Sequence, residues 1–164
     1  MIRDYVIWTD TTAGYDSREK AITCCLLGIS GEFGEYNISM LNDNPDMEAL
    51  KKEMGDILWY LAHLSFVTGV PLVEMGDEVS FDDDGYQLIT SLHEKFKKIV
   101  RDDNYIVTEE KMPEVQVLMG LIYTMIINEC GWYYWDIEDI MRANMAKLES
   151  RKERGVIGGS GDNR

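Results

Sequence analysis

Apolar positions recur three and four residues apart through most of this chain, the period of amphipathic α-helices. In residues 17–41, Cys25, Ile29, Phe33, Tyr36 and Met40 share one arc at about 100° per residue. In residues 46–68, Leu50, Met54, Ile57, Tyr60, Leu61 and Leu64 do the same. Asp16 or Ser17 suits the N-cap of the first helix, and Pro45 and Asp46 suit the opening of the second. Gly69 and Pro71 end it. Joined by the turn at 42–46, the two form an antiparallel hairpin. Further helices are expected over 86–101 (Ile89, Leu92, Phe96, Ile99), over 113–130 (Val115, Leu118, Ile122, Ile126, stopped by Gly131) and over 136–151 (Ile137, Ile140, Met141, Leu148). Leu72–Val79 reads as a short helix. Residues 1–16, polar and turn-rich around Tyr5, Trp8 and Tyr15, read as an N-terminal arm, and 155–164 as a Gly-rich tail. Strand patterns are missing. The expected fold is all-α, a bundle of four to five helices in a single domain spanning 1–164.

Acids interrupt both apolar arcs of the hairpin in the same way. Glu32 lies inside the first arc with Glu35 at its edge; Glu53 lies inside the second with Asp56 on its margin. Residues three apart are neighbours on a helix surface, so each pair points to one side. One such pair is commonly a solvated face. Two with matching placement, separated by seventeen residues, favour a shared site. Their heights agree too: about seven residues lead from Glu35 to the turn and about eight from the turn to Glu53. A buried unpaired carboxylate costs several kcal/mol, so it neutralises, finds a partner or binds a metal. No basic residue occupies these four positions, and Mg²⁺, with Mn²⁺ as substitute, answers converging oxygens best.

Composition sharpens this picture. The chain has 164 residues, 45% hydrophobic and 28% charged, ordinary for one globular domain. A net charge of −14 argues against a nucleic-acid polymer as partner. It also demands bridging cations if the ligand is itself a polyanion. Cys24, Cys25 and Cys130 lack zinc-ligand spacing and read as small core residues in a reducing compartment. With no signal-peptide pattern and no apolar run near the ~20 residues of a membrane span, a cytoplasmic location in a bacterium or phage-infected host is expected. Phe81–Gly85 fails the calcium-loop spacing, since Ser80 and Ser91 would fall where carboxylates are needed, and reads as a solvated loop and helix cap.

Glu32-x-x-Glu35, then Glu53-x-x-Asp56 running into Ile57-Leu58-Trp59-Tyr60-Leu61, resembles the MazG nucleotide pyrophosphohydrolases of the all-α NTP pyrophosphatase superfamily. The likeness covers about residues 20–70. Asn144-x-x-Lys147-Leu148-x-x-Arg151 and the ending Gly158–Arg164 are similar to the tails of phage-type members. Gly31 departs from the pattern, standing where many relatives carry a further Glu. The resemblance implies a homodimer or homotetramer that converts a (d)NTP to (d)NMP and pyrophosphate, with Glu32, Glu35, Glu53 and Asp56 as metal ligands and catalytic acids. It implies a dimeric dUTPase-like or phosphoribosyl-ATP pyrophosphohydrolase-like enzyme as the nearest alternatives. The phage-like tail points to a purine such as dGTP, and to Arg164 touching substrate.

Basic residues for phosphate are sought in the later helices. Lys97 and Arg101 belong to a Lys-rich segment that is either a solvated face or a phosphate clamp. Asn144, Lys147 and Arg151 share one face at spacings of three and four and can grip phosphate together. Glu129 reads as an extra ligand or the partner of a buried lysine, and His93 as structural. Trp132, Tyr133, Tyr134 and Trp135 read as core, interface or a base-stacking platform. A competing class is a non-enzymatic acidic phage interaction protein. It suits the charge but gives no reason for Glu32 and Glu53 to lie inside apolar arcs.

Overall fold

The computed structural model describes residues 1–76 and 78–156. It is all-α, with six helices and no strand among the described residues. They are α1 (Ile2–Thr9), α2 (Arg18–Met40), α3 (Met47–Thr68), α4 (Phe81–Asp103), α5 (Met112–Trp132) and α6 (Ile137–Glu153). The α2–α3 hairpin is the spine. Ser17 caps α2 by accepting from Lys20 N, and Asp46 caps α3 by accepting from Glu48 N and Ala49 N. Its facing arcs are dry: Cys25, Ile29, Tyr36, Leu50, Met54, Ile57, Leu61 and Leu64 are fully buried. Around α3 pack α1, α2, α5 and α6, while α4 closes against α5 and α2.

Four expectations need correction. Residues 1–16 are not a loose arm, because Ile2, Tyr5, Val6 and Thr9 recur at helical spacing and α1 docks on α3. Tyr5 is buried, Thr9 Oγ1 lies 3.2 Å from His63 Nδ1, and Trp59 Nε1 donates to Thr12. Residues 72–76 and 78–79 form no helix. Met75 N donates to Thr124 Oγ1 and Asn128 Nδ2 to Val79 O, so α5 satisfies backbone groups that a helix would have paired internally. Phe81–Gly85 is the first turn of α4, not a loop: Ser80 caps it, Asp82, Asp83 and Asp84 favour its positive end, and Phe81 buries its ring. Gly131 does not stop α5, which runs on to Trp132. These helices raise the count above four or five. Among the described residues one helix, α5, is long and apolar enough by length and composition to cross a membrane; half of that stretch is buried in the bundle.

Candidate metal centre

The hairpin brings the motif acids together, but not as four equals. Carboxylate oxygens of Glu32, Glu35 and Glu53 lie within 4.8 Å of one another. Glu32 and Glu53 are half-buried and Glu35 is exposed. Burial pushes the Glu32 carboxyl up to about 8, helped by the charge of Asp56, by a hydrogen bond to Glu53 and by the charges of Glu53 and Glu35. At neutral pH without a cation, Glu32 therefore holds a proton and donates it toward Glu53. Tyr60, four residues beyond Asp56, borders the same space. Burial first, then the charges of Glu32 and Asp56, push its phenol up to about 12, so it stays a neutral hydrogen-bonding group.

Asp56 has a different fate. Lys147 Nζ donates to both its oxygens, at 2.7 and 2.6 Å, and Asn144 Nδ2 adds a bond of 2.8 Å. Asn144 Oδ1 in turn accepts from Tyr5 Oη at 2.8 Å. A buried chain from α1 through α6 to α3 thus fixes the Asp56 side chain. Asn144 and Lys147, expected to grip phosphate, are here engaged with Asp56, so α6 delivers a lysine to one of the four acids. Arg151, one turn beyond Lys147, is 5% exposed.

Two glycines permit this geometry. A Cβ on Gly28 would sit 2.6 Å from ring carbons of Tyr60, so only glycine lets that ring lie across α2 one turn before Glu32. A Cβ on Gly55 would meet Asn144 Cβ at 3.3 Å and Ile140 Cγ2 at 3.5 Å, which explains how α6 comes close enough to reach Asp56. Neither glycine nor Tyr5 stood out from spacing alone. The signal for Tyr5 was present in the helical period of residues 2–9.

The remaining candidates separate cleanly. Lys97 and Arg101 are exposed and close on local acids, Lys97 on Glu94 at 2.5 Å and Arg101 on Asp102 at 2.6 Å. Both sit on a solvated face, and nothing in the bundle turns them toward the acids. Glu129 accepts from Tyr36 Oη at 2.7 Å and is neither a fourth ligand nor a lysine's partner; burial raises its carboxyl. His93 is tied to Ser30 Oγ and Leu26 O, as a structural histidine would be. Arg164 lies outside the described residues.

Three carboxylates converging from two helices offer oxygen ligands only, the donor set of Mg²⁺ or Mn²⁺ rather than zinc. The proton retained on Glu32 measures how poorly these groups tolerate one another, and a divalent cation is the group that relieves this. The residues therefore fit such an ion. A 70-residue stretch, 43% of this chain, is 37% identical to the "Gene 37 protein" of Mycobacterium phage L5. That match spans 61% of the phage protein's length. No protein-family profile matches the chain, and no solved structure matches it.

Proposed function

We propose that this protein is a Mg²⁺-dependent nucleoside triphosphate pyrophosphohydrolase of the MazG type, producing a (d)NMP and pyrophosphate. The observation that carries the reading is the convergence of Glu32, Glu35 and Glu53 from adjacent helices, beside an Asp56 already held by Lys147 and Asn144. Bound magnesium supplies charge neutralisation for the triphosphate and acidifies water. Glu32, Glu35 and Glu53 hold the cation, and the carboxylate left least engaged takes the proton of the attacking water. Asn144 keeps Asp56 oriented. Lys147, placed between Asp56 and the cleft outside it, offsets charge on the phosphates. Lys97 and Arg101 have no part in this scheme within one chain.

Oligomerisation has support on α2. Leu27, Ile38 and Leu41 are exposed on one stripe with Gly31 and Gly34, whose Cβ positions face open space. Such a surface suits a second copy of the chain, giving the homodimer or homotetramer of the resemblance. The phage similarity and the lack of any disulfide among Cys24, Cys25 and Cys130 are consistent with an enzyme acting on the cytoplasmic nucleotide pool of an infected host.

The deciding experiment measures pyrophosphate release from a dNTP panel with Mg²⁺, wild type against Glu53→Gln. The expected result is a loss of roughly 10²–10⁴-fold in the variant. Equal release from both proteins, or none from either, would remove the enzyme reading.

A further inference from the structure

Between α3 and α6 lies a cleft of about 550 Å³ that the acid cluster leaves unexplained. Lys51 and Lys52 of α3 and Lys147 of α6 line it, with Gly55 and Asn144 at its inner end. Trp135 and Tyr134, from the turn between α5 and α6, line its outer end. Three lysines meeting at one cleft is notable in a chain of net charge −14. The acids nearby have other engagements: Asp136 caps α6, and Asp139 is paired with Arg142 at 2.7 Å. Lys51 reaches Glu48 at 2.7 Å and lies 5.7 Å from the Trp135 ring centre. Lys52 is exposed and has no acidic partner among the described residues.

The aromatic end is arranged with some strain. Tyr134 has φ of 56°, a conformation that costs a bulky residue energy, and its side chain is 96% exposed. Nothing in the packing of the bundle requires a ring there. Trp135 stacks on Tyr133 at 4.8 Å, which holds the indole in place. From Glu48 to Gly55 the cleft follows α3 for about 10 Å at about 1.5 Å per residue. Its two ends differ in chemistry, aromatic outside and cationic toward the acids.

We propose that this cleft receives the nucleoside end of a nucleotide. The base lies against Trp135 and Tyr134, and the phosphates pass Lys52 and Lys147 toward Glu32, Glu35 and Glu53. The proposal rests on the nucleotide reading of the acid cluster and adds where the base goes. It explains why Lys147 lines the cleft with one side and holds Asp56 with its end.

Calorimetric titration of the full chain tests it, using the four deoxynucleoside monophosphates and, separately, inorganic pyrophosphate, each with Mg²⁺. Tyr134→Ala and Trp135→Leu are compared with wild type; Tyr134 is so exposed that its truncation leaves the fold intact. Base stacking on an aromatic ring predicts roughly 5- to 100-fold weaker monophosphate binding in either variant. Pyrophosphate affinity stays the same. Unchanged monophosphate affinity in both variants overturns the cleft assignment, as does a wild type that binds none of the four. Pyrophosphate release from dNTPs by that same wild type would leave the hydrolase standing alone. Conversely, monophosphate binding that depends on the aromatic pair, in a protein that hydrolyses nothing, keeps the cleft and removes the hydrolase.

Discussion

If Glu32 retains a proton only because Glu53, Glu35 and Asp56 crowd it, stability should depend on pH in one way without a divalent cation and in another with it. Glu32 ordinarily titrates near 4.5 and here near 8. Between those values the folded protein holds a proton that the unfolded chain has released, so unfolding becomes easier as pH rises. The stabilising contribution is complete below about pH 4.5 and is lost as pH climbs through about 8. At 1.36 kcal/mol per pH unit the full span is at most about 5 kcal/mol. Glu32 is only half-buried, and solvent screening brings this to roughly 2–3 kcal/mol. For a chain this long that is about 5–10 °C in the thermal midpoint.

His63 acts in the opposite sense. Burial lowers its pKa, so it favours folding as pH rises through the range near 6.5. Nothing about a cation at the acids changes His63, and it cancels in the difference between two curves. The assay is therefore thermal unfolding from pH 5 to 9 with EDTA and with saturating Mn²⁺ or Mg²⁺. With metal, the gap between the curves should widen steadily with pH. Glu32→Gln mimics the protonated acid and should flatten the metal-free fall. Glu129, whose carboxyl burial also raises, adds a fall of the same sign to both curves, so the refuting results are parallel curves with and without metal, or a gap between them that Glu32→Gln leaves unchanged.

Other consequences follow from single contacts. Asn144→Ala strands the buried Tyr5 hydroxyl and strips a bond from Asp56, and should cost about 2–3 kcal/mol in urea unfolding, against about 1 kcal/mol for Tyr5→Phe. Gly28→Ala drives a methyl into the Tyr60 ring and should cost about 1–3 kcal/mol; the double variant with Tyr60→Leu should recover most of it. Lys147→Met leaves Asp56 without its cation beside Glu32. The metal-free protein should lose about 3 kcal/mol, while Mn²⁺ titration shows tighter binding because a fourth carboxylate becomes available.

The hairpin was legible because both of its determinants are local. Caps at Ser17 and Asp46 and unbroken apolar arcs leave one way to join two long helices, and the level of Glu32 against Glu53 then follows from rise per residue alone. α1 was misread because eight residues offer little periodicity, and the polar Asp4, Thr9 and Asp10 around Tyr5 outweighed it. That Met75 and Val79 lie outside any helix could not be read at all, since their bonds go to Thr124 and Asn128, far along the chain. Lys97 and Arg101 show the limit most clearly. A helix wheel places a cation on a face, but the tertiary partner of that face decides whether it meets substrate or water.

Asp56 is the instructive case. By spacing it is the twin of Glu35, yet the two end in unlike surroundings because only the α3 side is reached by α6. Gly55, next to Asp56, admits that helix; the glycines of α2 that flank Glu35's side of the cluster, Gly31 and Gly34, lie on a surface that faces open space. The pseudo-symmetry of two acid pairs is thus broken by where a third helix can approach. One side of the cluster is fixed by protein, through Lys147, Asn144 and Tyr5, and the other, Glu35, is left to solvent or a second copy of the chain. A centre built this way holds its ligands rigidly on the face toward the cleft and stays adaptable on the opposite face. That division is what a site needs if a cation must stay in place while a polyphosphate enters and its products leave.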